Sequence, residues 1–173
     1  MTEFAAIEEF LDYEVHDDGR IYSHLSKRFL PIRVNHQGIR NINLHRGGVD
    51  YCRSVAVLVA KAFVDPPDRR SNTVIHLDGD RGNLQANNLA WRPRPFAIEY
   101  HKQFQNQPYQ NRMYEPLIIH ETGEEFPDSW ELAKTYGLLE RAVVLSAANI
   151  LHGHWNYTVY PTDHHILIKR HIK

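Results

Sequence analysis

The chain of 173 residues has a single cysteine, Cys52. That excludes an internal disulfide and leaves a zinc site no cysteine pair to build on, so a reducing interior is expected. No apolar run approaches the roughly eighteen residues that a membrane helix needs, so no membrane association is expected. The opening stretch MTEFAAIEEFLDYE is acidic and holds no long apolar run before a small-residue cleavage site, so no secretory signal is read there. A soluble, cytoplasmic protein is the expectation. Internal repeats and low-complexity tracts are missing as well. Net charge is lacking too: 20 Lys and Arg stand against 21 Asp and Glu, for a net of −1. On that average alone a nucleic-acid partner is disfavoured.

The average hides a division along the chain. Residues 1–19 hold seven acidic residues and no Lys or Arg, whereas residues 20–112 hold fifteen basic against six acidic. Residues 113–173 return to an acidic balance, five against eight. Polyanion binding depends on local clustering rather than the whole-chain sum, so the basic middle is a candidate nucleic-acid surface.

Local patterns give small modules. Tyr13-Glu14-Val15, the turn pair Asp18-Gly19 and Arg20-Ile21-Tyr22-Ser23 read as a hairpin with a tight two-residue turn. Ile39 to Leu44 alternates with a shift of parity that suggests a bulged strand, followed by a Gly47-Gly48 turn. Ser54 is a suitable cap for a helix with Val55, Leu58, Val59 and Ala62 on one face, which must stop before Pro66-Pro67. Thr73–His76 and the segment near Trp91 read as strands around an Asp78-Gly79-Asp80 turn. From Arg92 to Arg112 the prolines and polar residues, with Tyr100, Phe104 and Tyr109 among them and Tyr114 just beyond, read as an extended connector. Beyond it lie a hairpin around Thr122-Gly123, a helix capped by Asp128 or Ser129 and ended by Gly137, and a second helix through Val143, Val144, Ala147 and Leu151 closed by Gly153. Strands at Tyr157–Tyr160 and Ile166–Ile168 complete the last module. The two helices fit a helix-turn-helix or an ordinary helical hairpin.

The segment Val74-Ile75-His76-Leu77-Asp78-Gly79-Asp80 through Asn83-Leu84, Asn88-Leu89 and Trp91 resembles the HNH nuclease motif of phage intron-encoded homing endonucleases. Residues 13–23 and 55–63 are similar to the N-terminal DNA-binding motif that accompanies such nucleases. Residues 122–126 and the two helices after them are similar to their C-terminal helix-turn-helix module. The resemblance implies an α+β protein in four parts: an N-terminal sheet DNA-binding module over 1–53, a ββα-metal nuclease core over 54–98, an extended connector over 99–115, and a helix-turn-helix-like module over 116–173. It also implies His76 as general base, Asn88 as the residue that fixes the base's geometry, Mg²⁺ as cofactor if the protein is active, and double-stranded DNA as partner to a monomer in an infected bacterial cell.

The metal ligands are where the sequence departs. The resemblance places one oxygen ligand immediately before the histidine and a second about six residues after the tryptophan; Ile75 and Ala97 stand there, and neither side chain has a donor. Glu99 and His101 are nearby but displaced, and Asp78 and Asp80 read as loop-shaping residues. Magnesium-dependent cleavage is therefore expected to be weak or lost. Two alternatives stand beside that reading: a nicking endonuclease with a rearranged metal site, and a non-catalytic protein redirected to a host protein through its acidic ends. Arg33, Arg40, Arg46, Arg53, Arg81, Arg92, Arg94, Lys102 and Arg112 are the candidate DNA contacts, because guanidinium favours bidentate phosphate and guanine contacts. The twelve histidines, including His152, His154, His164 and His165, lack metal-site spacing and read as solvated.

Overall fold

The computed structural model describes residues 3–65, 69–105, 110–119, 122–151 and 168–170. The chain divides into two compact units, Met1–Arg92 and Pro93–Lys173.

In the first unit, strands β1 (Phe4–Ile7), β2 (Phe10–His16), β3 (Ile21–Ser23) and β4 (Arg28–Phe29) form an antiparallel sheet in sequence order. The expected hairpin is there, with Tyr13 opposite Ser23 and Val15 opposite Ile21. Its connection is longer than the two-residue turn expected. The His16 N–H bonds the Arg20 carbonyl at 2.9 Å, closing a loop of Asp17, Asp18 and Gly19. Gly19 has φ 89°, as the last position of a three-residue hairpin loop requires.

A second sheet follows, made of β5 (Arg33–Val34), β6 (Arg40–Arg46) and β7 (Val49–Ser54). The register from Asn41 opposite Ser54 to Arg46 opposite Val49 is unbroken. The bulge expected within 39–44 is absent because the strand begins only at Arg40. Ile39 belongs to the preceding turn, where its N–H bonds the Asn35 side chain and its carbonyl accepts from the Asn35 N–H. Ile42 and Leu44 then point into the core in phase.

Helix α1 (Val55–Phe63) starts after Ser54, as expected, and ends three residues before Pro66. Ser54 occupies the cap position without a side-chain cap bond. Val55, Leu58 and Val59 are buried, whereas Ala62 is exposed, contrary to the pattern. These side chains share one core with Val15, Ile21, Ile42, Leu44, Leu89 and Trp91. Strands before residue 54 and the helix and strand after it thus contribute to the same interior. The unit closes with β8 (Thr73–His76) paired antiparallel to β9 (Leu89–Arg92).

The second unit opens with α2 (Arg94–Gln105), where the sequence reading placed the start of an extended connector. Pro93 and Pro95 sit at the helix start, where the first N–H groups have no intrahelical partner and their loss costs nothing. Phe96, Tyr100 and Phe104 recur every four residues along α2, with ring centroids 6.0 and 5.4 Å apart. Tyr109 lies outside the described residues. The hairpin of β10 (Leu117–Ile119) and β11 (Glu125–Phe126) turns at Gly123, and α3 (Ser129–Tyr136) begins with the Asp128 carboxylate accepting the Glu131 N–H at 2.8 Å. Gly137, in the left-handed region, ends it. Helix α4 (Glu140–Leu151) buries Val143, Val144 and Ala147 with Leu117, Ile119 and Leu132. Strand β12 (Ile168–Arg170) pairs with β10, two residues beyond the expected start. Gly153, the Tyr157–Tyr160 strand and the four C-terminal histidines above lie outside the described residues. Among the described residues no helix is long and apolar enough to cross a membrane.

Candidate functional site: the β8–β9 hairpin and its loop

His76 is the last residue of β8 and stands opposite Leu89. Cross-strand partners share a face, so Val74, His76, Leu89 and Trp91 project to one side of the hairpin and Ile75 and Ala90 to the other. His76 is 8% exposed, and both its ring nitrogens are buried.

The loop after His76 is organised by Asn88. Its Oδ1 accepts the Asp78 backbone N–H at 3.0 Å, while its Nδ2 donates to the Asp78 carboxylate at 2.9 Å and the Asn83 carbonyl at 3.0 Å. Its own carbonyl accepts the Leu77 N–H at 2.8 Å. The Asp78 carboxylate also takes bonds from Asn83 Nδ2 at 2.7 Å and the Asp80 N–H at 2.8 Å. Burial pushes the Asp78 pKa up, but the bonds from Asn83, Asn88 and Asp80 and the nearby His76 outweigh it, and the carboxyl is held below its ordinary value. Asp80 in turn accepts the Gly82 N–H at 2.7 Å. Both aspartates therefore shape the loop, as expected from sequence.

Neighbouring segments fix this loop from two sides. A Cβ on Gly19 would come within 2.5 Å of Leu84 Cβ, so the β2–β3 turn packs directly on the loop, and the Ala86 N–H bonds the Asp17 carbonyl at 2.7 Å. On the other side Arg81 donates to the Gln37 carbonyl in the β5–β6 turn. Arg40 Nη2 lies 2.8 Å from where a Gly82 Cβ would be. Gly82 leaves room for that guanidinium, a role no local sequence pattern announces.

A strand ending in histidine, an Asp-Gly loop pinned by asparagine and a returning strand bearing tryptophan are now in place. No family model matches the chain. It is 35% identical over 92 residues to an uncharacterized HNH endonuclease of Acanthamoeba polyphaga mimivirus, a match covering 53% of this chain. The chain spans only 23% of that relative's length. A solved structure of the HNH homing endonuclease I-HmuI, described for its DNA binding and cleavage, matches with a TM-score of 0.56 at 22% identity and covers 99% of both chains. The chain resembles an HNH endonuclease in sequence over about half its length and the HNH homing endonuclease in fold.

The HNH fold normally carries a divalent cation, and the residues here do not fit one. Ile75, at the first expected ligand position, is a fully buried aliphatic side chain, and Ala97, at the second, is a methyl group on α2. Two of the nearby carboxylates are already engaged. Asp78 is committed to its loop, and Glu99 is bonded to Lys102 at 2.8 Å, a contact that holds its carboxyl below the ordinary range. Among the described residues, no group of three or more His, Cys, Asp and Glu side chains is placed to hold a metal ion.

The candidate DNA contacts of this HNH-like chain separate by environment. Arg33 is exposed on β5, and Arg40 and Arg81 flank the loop. Arg46 and Arg53 lie over the rings of Phe10 and Tyr51 at 5.2–5.3 Å. Arg46 also bonds the Glu9 carbonyl, and Arg53 approaches the Glu9 carboxylate at 3.6 Å. Arg92 ends β9, Arg94 is exposed at the start of α2, and Lys102 is paired with Glu99. Arg112 faces inward, which its sequence pattern did not foretell. It grips the buried Glu140 carboxylate with two bonds of 2.7 and 3.0 Å and lies over Trp130 at 4.9 Å.

Proposed function

We propose that this chain binds double-stranded DNA through its HNH-like fold and that its magnesium-dependent phosphodiester cleavage is weak or lost. The observation that carries the second half is the side-chain chemistry at positions 75 and 97, where an isoleucine and an alanine offer no oxygen to a hard cation. The loop that would position the base keeps its hydrogen bonds, while His76 itself is buried from solvent. A scaffold retained without ligands suits binding better than hydrolysis.

For DNA, the support is the arginine-rich middle of the chain and the grouping of Arg33, Arg40 and Arg81 around the β5–β6 turn and the loop. Guanidinium groups on neighbouring turns suit successive backbone phosphates. The helices α3 and α4 would add a helix-turn-helix contact. The protein acts as a monomer in this reading.

A supercoiled plasmid incubated with Mg²⁺ or Mn²⁺ tests the proposal. Wild type is expected to leave it closed, as is His76→Ala. Metal-dependent nicking that disappears in His76→Ala would overturn the loss of activity and favour a rearranged metal site. Ile75→Asp combined with Ala97→Asn restores the residue types that the resemblance expects, and metal-dependent nicking by that variant alone would assign the loss to those two positions.

A further inference from the structure

The β5–β7 sheet turns one face to the core and the other to solvent. Ile42 and Leu44 are buried on the first. Because side chains alternate along a strand, Asn41, Asn43 and His45 stand on the second, and the register sets Ser54, Cys52 and Asp50 opposite them on β7. The longer side chains line β6 and the shorter ones β7, which makes β6 a polar ridge. Its members are not equivalent. Asn41 is half-buried and donates to the Ile39 carbonyl at 3.4 Å, whereas Asn43 is exposed. His45 Nδ1 lies 3.0 Å from the carboxylate of Asp50, the one acid that these strands place on this face. That bond puts a proton on Nδ1 and leaves Nε2 of the neutral ring as an acceptor. Arg33, opposite Asn41 on β5, brings a guanidinium to the same face, and Arg81 reaches the adjoining β5–β6 turn.

We propose that this ridge enters the major groove of DNA and that Asn43 is a specificity-determining residue that selects adenine. The inference rests on the DNA-binding reading above and adds which base is read. A major groove about 12 Å wide admits an antiparallel ribbon, and there an asparagine amide pairs with adenine at two points, accepting from N6 and donating to N7. The ridge itself carries no charge while His45 is neutral, and phosphates are met by Arg33 and Arg81 at its margin. Spacing supports the assignment. Residues two apart on a strand are separated by about 6.8 Å, which matches two base-pair steps of about 3.4 Å. His45 therefore falls on a base two pairs from the one that Asn43 meets, where its Nε2 accepts from the amino group of adenine or cytosine. Asp50 fixes that acceptor in place, which a face in contact only with water does not require.

The probe is a pool of duplexes with a randomised central segment, selected on the full chain and sequenced for wild type and each variant. Wild type should enrich adenine at one position and adenine or cytosine two base pairs away. Asn43→Ala should lose the first preference alone and bind the selected duplex about tenfold more weakly. Its salt dependence should match wild type, because no phosphate contact is removed. Asn43→Asp should move the preference to cytosine, since a carboxylate accepts from the cytosine amino group and has no proton to give N7. A merely structural role for Asn43 gives no such switch. His45→Ala should relax the second position and leave the first. Salt-dependent binding by wild type with no enriched sequence, or with enrichment that Asn43→Ala leaves intact, would overturn the base assignment while DNA binding stands. Absence of duplex binding by wild type would overturn both.

Discussion

Asn88 holds Asp78 at two points, accepting its backbone N–H at 3.0 Å and donating to its carboxylate at 2.9 Å. One buried amide thus sets both the path of the loop and the orientation of its first acid. Replacement by alanine would strand the Asp78 N–H and the Asn83 carbonyl. Each group left without a partner costs about 1–3 kcal/mol, so Asn88→Ala should lose about 2–6 kcal/mol in urea unfolding. Asn87→Ala, next door and exposed, should change stability by less than about 0.5 kcal/mol. Equal effects from the two would show that the amide does not organise the loop.

The same bonds give the loop a dependence on pH. The folded-state pKa of Asp78 is depressed, because its hydrogen bonds and His76 outweigh the opposing effect of burial. Its contribution is therefore complete above the unfolded aspartate pKa and is lost as pH falls through the lower folded value. The stability difference between wild type and Asp78→Asn should be constant near neutrality and shrink in acid. Urea titrations from about pH 7 down to pH 2 measure it, and a difference independent of pH would refute the assignment.

In the second unit the decisive pair is Arg112 and Glu140. Glu140 is 3% exposed and also accepts the Ser129 hydroxyl at 3.0 Å, while its backbone N–H bonds Gln103 Oε1 at 3.1 Å. Arg112→Met leaves a buried carboxylate without its counter-ion, which typically costs about 3–5 kcal/mol. Adding Glu140→Leu removes the stranded charge, so the double variant should be more stable than Arg112→Met alone. A double variant as unstable as the sum of both single variants would show that the two side chains are not coupled.

How legible these features were depends on the distance over which their causes act. The hairpin around Gly19 and the helix after Ser54 were readable because a turn glycine and an apolar face are local signals. The His76 to Asn88 spacing located the loop, yet the roles of Asn83 and Gly82 depend on what surrounds them. Helix α2 was missed because Pro93 and Pro95 read as breakers, although the recurrence of Phe96, Tyr100 and Phe104 at four-residue intervals marked a helical face. Arg112 looked like one more surface cation. Its partner lies 28 residues further on, and only the tertiary fold brings them together.

That separation of arginines by environment makes the proposed DNA interface testable residue by residue. Binding that neutralises phosphates releases counterions, so the logarithm of the association constant falls with the logarithm of salt concentration by about 0.9 per phosphate contact on duplex DNA. Arg33→Ala and Arg81→Ala should each reduce that slope by about 0.9, because Arg33 is exposed on β5 and Arg81 reaches the β5–β6 turn that follows it. Arg112→Met, at a temperature where it stays folded, should leave the slope unchanged, since its guanidinium is spent on Glu140. Fluorescence anisotropy with a labelled duplex between about 50 and 200 mM salt gives all three values. A slope that drops for Arg112→Met and not for the other two would place the interface on the second unit. A wild-type slope near zero would remove DNA as the partner.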